Sequence, residues 1–485
     1  MFARSRSSRL GLALALGTLV ACSDDTTAPD VVIPPGSSDI TTDITVNRTL
    51  YAETTYTLKG FVHVANGATL TIMPGTTIKG DFNTLGSALF VLRGAKINAV
   101  GTAAKPIVFT SSQPVGSRTP GDWGGLIIVG NGIINRSGSI DVEGTGTVTG
   151  TTTGTNYAVT YSGGVTNADN SGELKYVRVE FAGYAPSLNN ELNTFTFAAV
   201  GSGTKLSYLE ALAGLDDAFE FFGGAVDADH IVAYEPLDDG FDMSEGFVGR
   251  LQYAIYLKST VIAPRASAGS PASDPQAIEN DGCNGVGCAT STFNSTPLTV
   301  PVVANFTLVG TNDVATSGSA GGIGMMLRRG TGGYYVNGLV ARFPRFGISM
   351  RDNDTYARAG SVTTPDLATT DLAIRNVTFL ETTTIFQTGT GQNAFDLAGN
   401  AIVSSGNTTA ATLTAFPATI TNTTTETAFD WTPMAGSVAA SGGLATFTGK
   451  IATAAGSVVA GTSYVGAAAP GGTKWWAGWT VYAQK

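Results

Sequence analysis

Eight short apolar segments share one register, glycine is abundant while charge is scarce, and no stretch after the leader keeps a helical period. Together these observations predict an all-β chain wound as a right-handed parallel β-helix. Glycine supplies 62 of the 485 residues, nearly double its usual ~7% share. Charged residues make up 13% and hydrophobic residues 43%. That composition allows a large core and excludes a disordered chain, which needs low hydrophobicity and high net charge. The glycines follow no three-residue period, which excludes collagen. Frequent Thr, Val and Gly favour strands.

The first 21 residues hold Arg4, Arg6 and Arg9 and no acid, followed by an apolar run from Leu10 to Val20. Eleven residues are too few to span a bilayer, which takes about 20, and suit the core of a signal peptide. Leu19-Val20-Ala21-Cys22 resembles a bacterial lipobox. The resemblance implies cleavage before Cys22, acylation of its thiol and of the new amine, and stable anchoring by several acyl chains. Ser23 after the cysteine and the polar stretch through Pro29 resemble the tethers of lipoproteins sent to the outer membrane and exposed at the surface. Residues 1–21 are thus expected to be a lipoprotein signal and 22–45 an acylated polar tether. Without Arg4, Arg6 and Arg9 the chain carries 24 basic against 37 acidic residues, which disfavours nucleic acid as a partner.

From residue 46 the strand signals begin. Runs at Thr69–Ile72, Ala88–Leu92, Lys96–Ala99, Ile107–Thr110 and Leu126–Val129 are separated by Pro74-Gly75, Gly86, Gly94, Gly101 and Gly124-Gly125, where chains bend readily. Downstream, eight segments align on Tyr176, Tyr208, His230, Tyr253, Asn305, Asn337, Asn376 and Asn400. The residues one and three places later are apolar or glycine in every case, and the residue between them is mixed. Alternation along a strand then points the first set inward and the second outward. The gaps between leading residues are 32, 22, 23, 52, 32, 39 and 24, a base period near one β-helix coil with insertions. A β-sandwich, the alternative, seldom keeps one register through so many repeats. Stacked coils predict an amide ladder of Asn305, Asn337 and Asn376, and a ring stack of Tyr176 on Tyr208. The longest gap contains Cys283 and Cys288, which with Cys22 lipidated are expected to form a disulfide.

Leu215-Asp216-Asp217-Ala218-Phe219-Glu220 repeats as Leu237-Asp238-Asp239-Gly240-Phe241-Asp242, offset by 22 at every position. On adjacent coils Asp216 would face Asp238, Asp217 would face Asp239 and Glu220 would face Asp242, with Glu245, Asp227 and Asp229 nearby. Like charges stacked in this way repel. Three arrangements relieve them: turn aspartates bonded to backbone N–H groups, a calcium-like cation that wants six to eight oxygens, or a catalytic pair sharing a proton. Consecutive strand residues point apart, so Asp216 and Asp217 share a side only in a bend. His63 and His230 are the only histidines and are better explained by packing. Lys258 as a base and Arg250 as a neutralising group are not singled out by spacing.

The stretches Asp122–Asn131, Asp169–Gly183, Val200–Gly224, Leu237–Ile255, Leu327–Gly333 and Trp476–Thr480 resemble a family of bacterial secreted β-helix proteins. Its members are cell-surface proteins or lipoproteins without an assigned reaction, so the resemblance implies fold and location and no catalytic residue. The G-H-G and R-x-K motifs of pectin hydrolases are absent. The expected organisation is a β-helix over 46–407, then final coils and a cap over 408–485, with Trp475, Trp476 and Trp479 covering the open end. The expected function is a non-enzymatic outer-membrane lipoprotein that binds a glycan, a matrix component, another surface protein or a divalent cation such as Ca2+. The alternatives are a polysaccharide lyase or glycoside hydrolase using Asp216, Asp217, Asp238 or Asp239, and a structural spacer or adhesin.

Overall fold

The structure is a computed structural model that describes residue 1 and residues 36–146, 157–269, 271–272, 274–318, 320–360, 366–382, 384–387, 401–403 and 409–483. The leader, Cys22 and Asn400 lie outside the described residues. Two long parallel sheets carry the chain, one of 17 strands and one of ten. Each coil contributes one strand to the ten-stranded sheet and a longer, bent strand or a strand pair to the other. In the middle coils the bent strands are Gly172–Glu180, Lys205–Leu212, Asp227–Tyr234, Arg250–Leu257 and Val302–Val309. Val177, Leu209, Ile231, Ala254 and Phe306 follow one another in register across them. The all-β parallel β-helix expected from the repeat is the observed fold.

The aligned leading residues turn out to be the bends themselves. Tyr176, Tyr208, His230, Tyr253, Asn305, Asn337 and Asn376 all have φ between 51° and 62°. This left-handed region is uncommon for residues other than glycine and unusual for bulky ones. One such residue per coil redirects a continuous strand from one face of the coil to the next. The inward side chains form columns: Phe195, Phe219 and Phe241 stack with centroids 5.0 and 5.6 Å apart. Leu215 and Leu237 pack in one cluster with Ala185 and Ala268. Asp122-Trp123-Gly124-Gly125 has a packing reason as well. Trp123 is fully buried and lies so close to Gly80 that a Cβ there would sit 2.2 Å from the Trp123 Cβ.

Several expectations need correction. The coil begins before residue 46: Gly36–Ile40 pairs in parallel with Thr54–Leu58, and Ile40 and Ile44 are both buried. The apolar residues at 40 and 44 draw this part of the expected tether into the stack. Residues 409–483 add no strand to either parallel sheet; within them Leu413–Ala415 and Asp430–Pro433 form an antiparallel pair. This segment lies along the flank of the long sheet, where Trp431, Trp476 and Tyr482 join Val232, Tyr234, Ile255 and Leu339 in one apolar cluster. Outward-facing Val232, Ile255 and Leu339 need such a cover, so the tryptophans close a side of the stack. For the same reason Glu210, Thr307 and Thr378, also between-position residues, are fully buried.

The asparagine ladder is also redirected. Asn305 Nδ2 donates to Thr462 Oγ1 at 2.8 Å, Asn337 Oδ1 accepts from the Leu444 N–H at 2.6 Å, and Asn376 Nδ2 donates to the Gly442 carbonyl. A side chain at the bend projects toward the flanking segment, whose backbone groups would otherwise be unpaired. Tyr176 and Tyr208 do stack, at 4.4 Å, and His230 continues the column at 4.5 Å. Their ring faces are used by one another, while Trp479 and Trp475 meet their edges. Two buried carboxylates fasten the last residues: Glu210 accepts from the Val481 N–H at 3.0 and 3.1 Å, and Glu235 accepts from the Tyr482 hydroxyl at 2.5 Å. Trp476→Ala is therefore expected to destabilise the protein by about 3–5 kcal/mol. Urea unfolding with matched slopes measures it, and a loss below about 1 kcal/mol would contradict this packing role.

Candidate functional site

The outer face of the ten-stranded sheet changes character along the stack. One outward row reads Ile127, Thr196, Glu220, Asp242, Glu279 and Met326 on successive strands. Glu220 thus lies beside Asp242, as the 22-residue offset predicts. The row continues to Glu279, 37 residues further on, because the segment after Leu257 breaks the offset. Neighbouring strands hold these side chains about 4.8 Å apart, so parallel register alone sets three carboxylates in line.

Asp216, Asp217, Asp238 and Asp239 sit in the bends that lead into these strands, and there both members of each pair reach one side. All four line a cavity of about 520 Å³ together with Glu220, Asp242 and Glu279. Among the described residues, twelve carboxylic side chains line it against three arginines, Arg136, Arg328 and Arg329. A second wall comes from Glu143, from Asn189 and Glu191 on a hairpin, and from Asn284 and Gly285. The last two belong to the loop closed by the Cys283–Cys288 disulfide, which forms as expected.

A ladder of side-chain to backbone bonds holds the floor. Asn193 Oδ1 accepts from the Asp217 N–H at 3.1 Å, Asp217 Oδ1 from the Asp239 N–H at 2.8 Å, and Asp239 Oδ1 from the Gln276 N–H at 2.6 Å. Gln276 Oε1 continues to the Ile323 N–H at 3.0 Å. Asp217 and Asp239 thus serve as turn aspartates through one oxygen each. Asp238 accepts from the Asp274 N–H at 3.0 Å. Asp216 is different: it is 5% exposed, faces the cavity, and has no hydrogen-bond or ion-pair partner among the described residues. Asp242 Oδ1 is also buried without a partner.

At one end Arg136 pairs with Glu245 at 2.5 Å, and the Tyr161 hydroxyl donates to the same carboxylate at 2.5 Å. At the other, Arg328 pairs with Glu279 and, at 2.7 Å, with Asp281; Arg329 also pairs with Asp281. The centre keeps its surplus of acid. Three groups there have ligand oxygens within 4.8 Å of one another: Asp216/Asp217/Asp238, Asp217/Glu220/Asp242 and Asp239/Asp242/Glu279.

Residues 41–434 match the model of a family described as a pectate-lyase-like β-helix domain. The chain belongs to this pectate-lyase-like β-helix family. No curated protein and no solved structure matches it. Membership in the pectate-lyase-like group fixes the coil and leaves the chemistry of the acidic cavity to its own residues.

Other residues weighed from sequence lie elsewhere. Asp227 pairs with Arg250 at 3.0 Å, and Asp229 with His230, both on the opposite sheet. His63 bonds Asp43 at 2.8 Å and packs on Tyr157. Lys258 is buried and donates to the Pro236 carbonyl, with burial lowering its pKa to about 8. Glu143, Glu191, Asp274, Glu279, Asp281, Arg136, Arg328 and Arg329 were not singled out by the repeat. Only Arg328-Arg329, inside the motif Leu327–Gly333, carried a sequence signal.

Burial raises the cavity carboxyls. Asp216, Asp217, Glu220, Asp239 and Asp242 are held well above the ordinary carboxylate range, first by loss of water and then by neighbouring carboxylates. Desolvation brings Glu143 and Asp238 to about 7 and Glu279 to about 8. Unfolded, such groups titrate near 4. Between that value and the folded ones, the folded chain binds more protons than the unfolded chain, so this contribution to stability falls as pH rises. The cation-free chain should melt several degrees lower at about pH 9 than at about pH 5. Scanning calorimetry in chelator measures this, and a melting point that rises across the range would contradict it.

Proposed function

We propose that the protein is a non-enzymatic binding module whose acidic cavity takes a divalent cation of the calcium type. It is displayed at the outer-membrane surface by an acylated Cys22. The observation that carries this reading is Asp216, a buried carboxylate without a partner, set in a cavity with twelve acids against three arginines. Uncompensated buried carboxylates are costly, and a hard cation ligated by oxygens is the ligand class that offsets them best. Asp216, Asp217, Glu220, Asp238, Asp239 and Asp242 are the proposed ligands, joined by Glu279. The anchor rests on the lipobox and the short apolar run before Cys22. A glycan, a matrix component or another surface protein would then be the macromolecular partner.

Calorimetry of the full chain purified in detergent should detect calcium uptake at or below millimolar levels, and Asp238→Asn should weaken it by tenfold or more, about one good ligand's share. No heat and no rise in melting temperature with millimolar calcium would refute the reading.

One observation favours a second reading, polysaccharide cleavage. The carboxyl oxygens of Asp216, Asp217 and Asp238 lie within 4.8 Å of one another, and burial raises Asp238 to about 7, where a carboxyl can act as a general acid. Its partner in such a reaction would be Asp216, Asp217 or Asp239, in the same cavity. Screening polysaccharides for new reducing ends or unsaturated products tests it; a signal abolished by Asp238→Asn supports cleavage, and none across neutral, basic and acidic polymers rejects it.

A further inference from the structure

Of the three carboxylate groups in the cavity, the two outer ones share no residue: Asp216/Asp217/Asp238 at one end and Asp239/Asp242/Glu279 at the other. The middle group borrows Asp217 from the first and Asp242 from the second, adding only Glu220. An ion held in the middle would leave Asp216 and Asp238 without a counter-charge. Ions held at both ends use six of the seven carboxylates of the three groups and leave Glu220 between them. Resting on the cation reading above, we infer that the cavity holds two divalent cations at unequal sites, a tight one at Asp216/Asp217/Asp238 and a weak one at Asp239/Asp242/Glu279 opposed by Arg328.

The inequality follows from what already touches each group. At the tight site Asp216 is 5% exposed and has no partner among the described residues. Asp217 and Asp238 each give one oxygen to a backbone N–H and keep the other. Among the described residues no arginine pairs with any of the three, and Lys258, whose charge reaches Asp238, spends a donor on the Pro236 carbonyl. The weak site is also built for a ligand, since Asp242 Oδ1 is buried and unpartnered, and Asp239, 4% exposed, keeps Oδ2 after bonding Gln276. There, however, Arg328 already pairs with Glu279 Oε1. A guanidinium at contact distance repels an incoming cation and competes for the same carboxylate. These bonds leave four carboxylate oxygens at each site, two from Asp216 with one each from Asp217 and Asp238 at the first, and water completes the shell of a calcium-sized ion. Two sites close together also explain why the row of acids extends to a third coil, beyond the doubled sequence motif.

Titration calorimetry of the full chain in detergent with calcium alone, checked by native mass spectrometry, should give two ions per chain in two steps. Asp238→Asn should remove the tight step and Glu279→Gln the weak one. Arg328→Gln should tighten the weak step by about fivefold or more, the effect of removing one unit charge at contact distance even under water-like screening, and leave the tight step within twofold. Melting curves in chelator establish that each variant folds, and Glu220→Gln, which should weaken both steps and abolish neither, serves where one does not. A single ion per chain, loss of both steps in either single variant, or an unchanged weak step in Arg328→Gln overturns the two-site assignment while the cation reading stands. No uptake by the unaltered chain overturns both.

Discussion

Parallel in-register stacking is the constraint on which the structure depends. Once Val177, Leu209, Ile231, Ala254 and Phe306 occupy equivalent places on successive coils, every other position is matched to its equivalent as well. For inward residues the result is favourable, because phenylalanines meet phenylalanines and bury apolar area in columns. For outward residues the same geometry is indifferent to chemistry. It aligns Glu220, Asp242 and Glu279 about a strand spacing apart although their charges repel. The acidic cavity is therefore a local conflict held in place by a fold whose stability comes from elsewhere, the pattern expected where sequence serves function over stability.

How the conflict is held can be followed residue by residue. The backbone accepts part of it, since Asp217 and Asp239 each bond the N–H of the next coil. These bonds help to keep the coils in register while turning one oxygen of each aspartate away from the centre. Arginines absorb the edges, through Arg136 on Glu245 and Arg328 on Glu279 and Asp281. Neither a backbone bond nor an arginine pair takes up Asp216 or Asp242 Oδ1 among the described residues. Protonation can relieve such groups at low pH, and a bound cation relieves them without that restriction.

Much of the coil was legible because apolar residues recur at a fixed distance from one marker. The marker's own role was hidden. Asparagine adopts positive φ comparatively easily, but tyrosine and histidine at the same places gave no hint of a bend. The flank cover was hidden for a related reason. Val232, Ile255 and Leu339 at between-positions signalled an outer face that is buried, yet nothing in a strand pattern says which distant segment covers it. In the site, the 22-residue repeat gave the Glu220–Asp242 neighbours directly. It could not reach Glu279, because the inserted segment between Leu257 and Gln276 breaks the offset while leaving the spatial register intact. Arg136 and Glu143 come from the insertion between Val129 and Gly172 and Glu191 from the hairpin after Glu180, and only folding brings them to the cavity.

The covered flank also bears on where a ligand can act. A β-helix presents several long faces, and here residues 409–483 pack over much of the long sheet, with Glu210 and Glu235 gripping the final residues. The rings of Tyr176, Tyr208 and His230 spend their facing surfaces on one another and their edges on Trp475 and Trp479, which leaves little of them to a sugar. The N-terminal part of the other face is covered by its own insertion, where Ile140, Val142 and Tyr161 pack on Ile127 and Val129. The acidic cavity lies just beyond that insertion, walled by a hairpin and by the disulfide loop. Covering the apolar surfaces and walling the charged one serve a single end: the largest concentration of unbalanced charge is left as the place where a ligand gains most by binding.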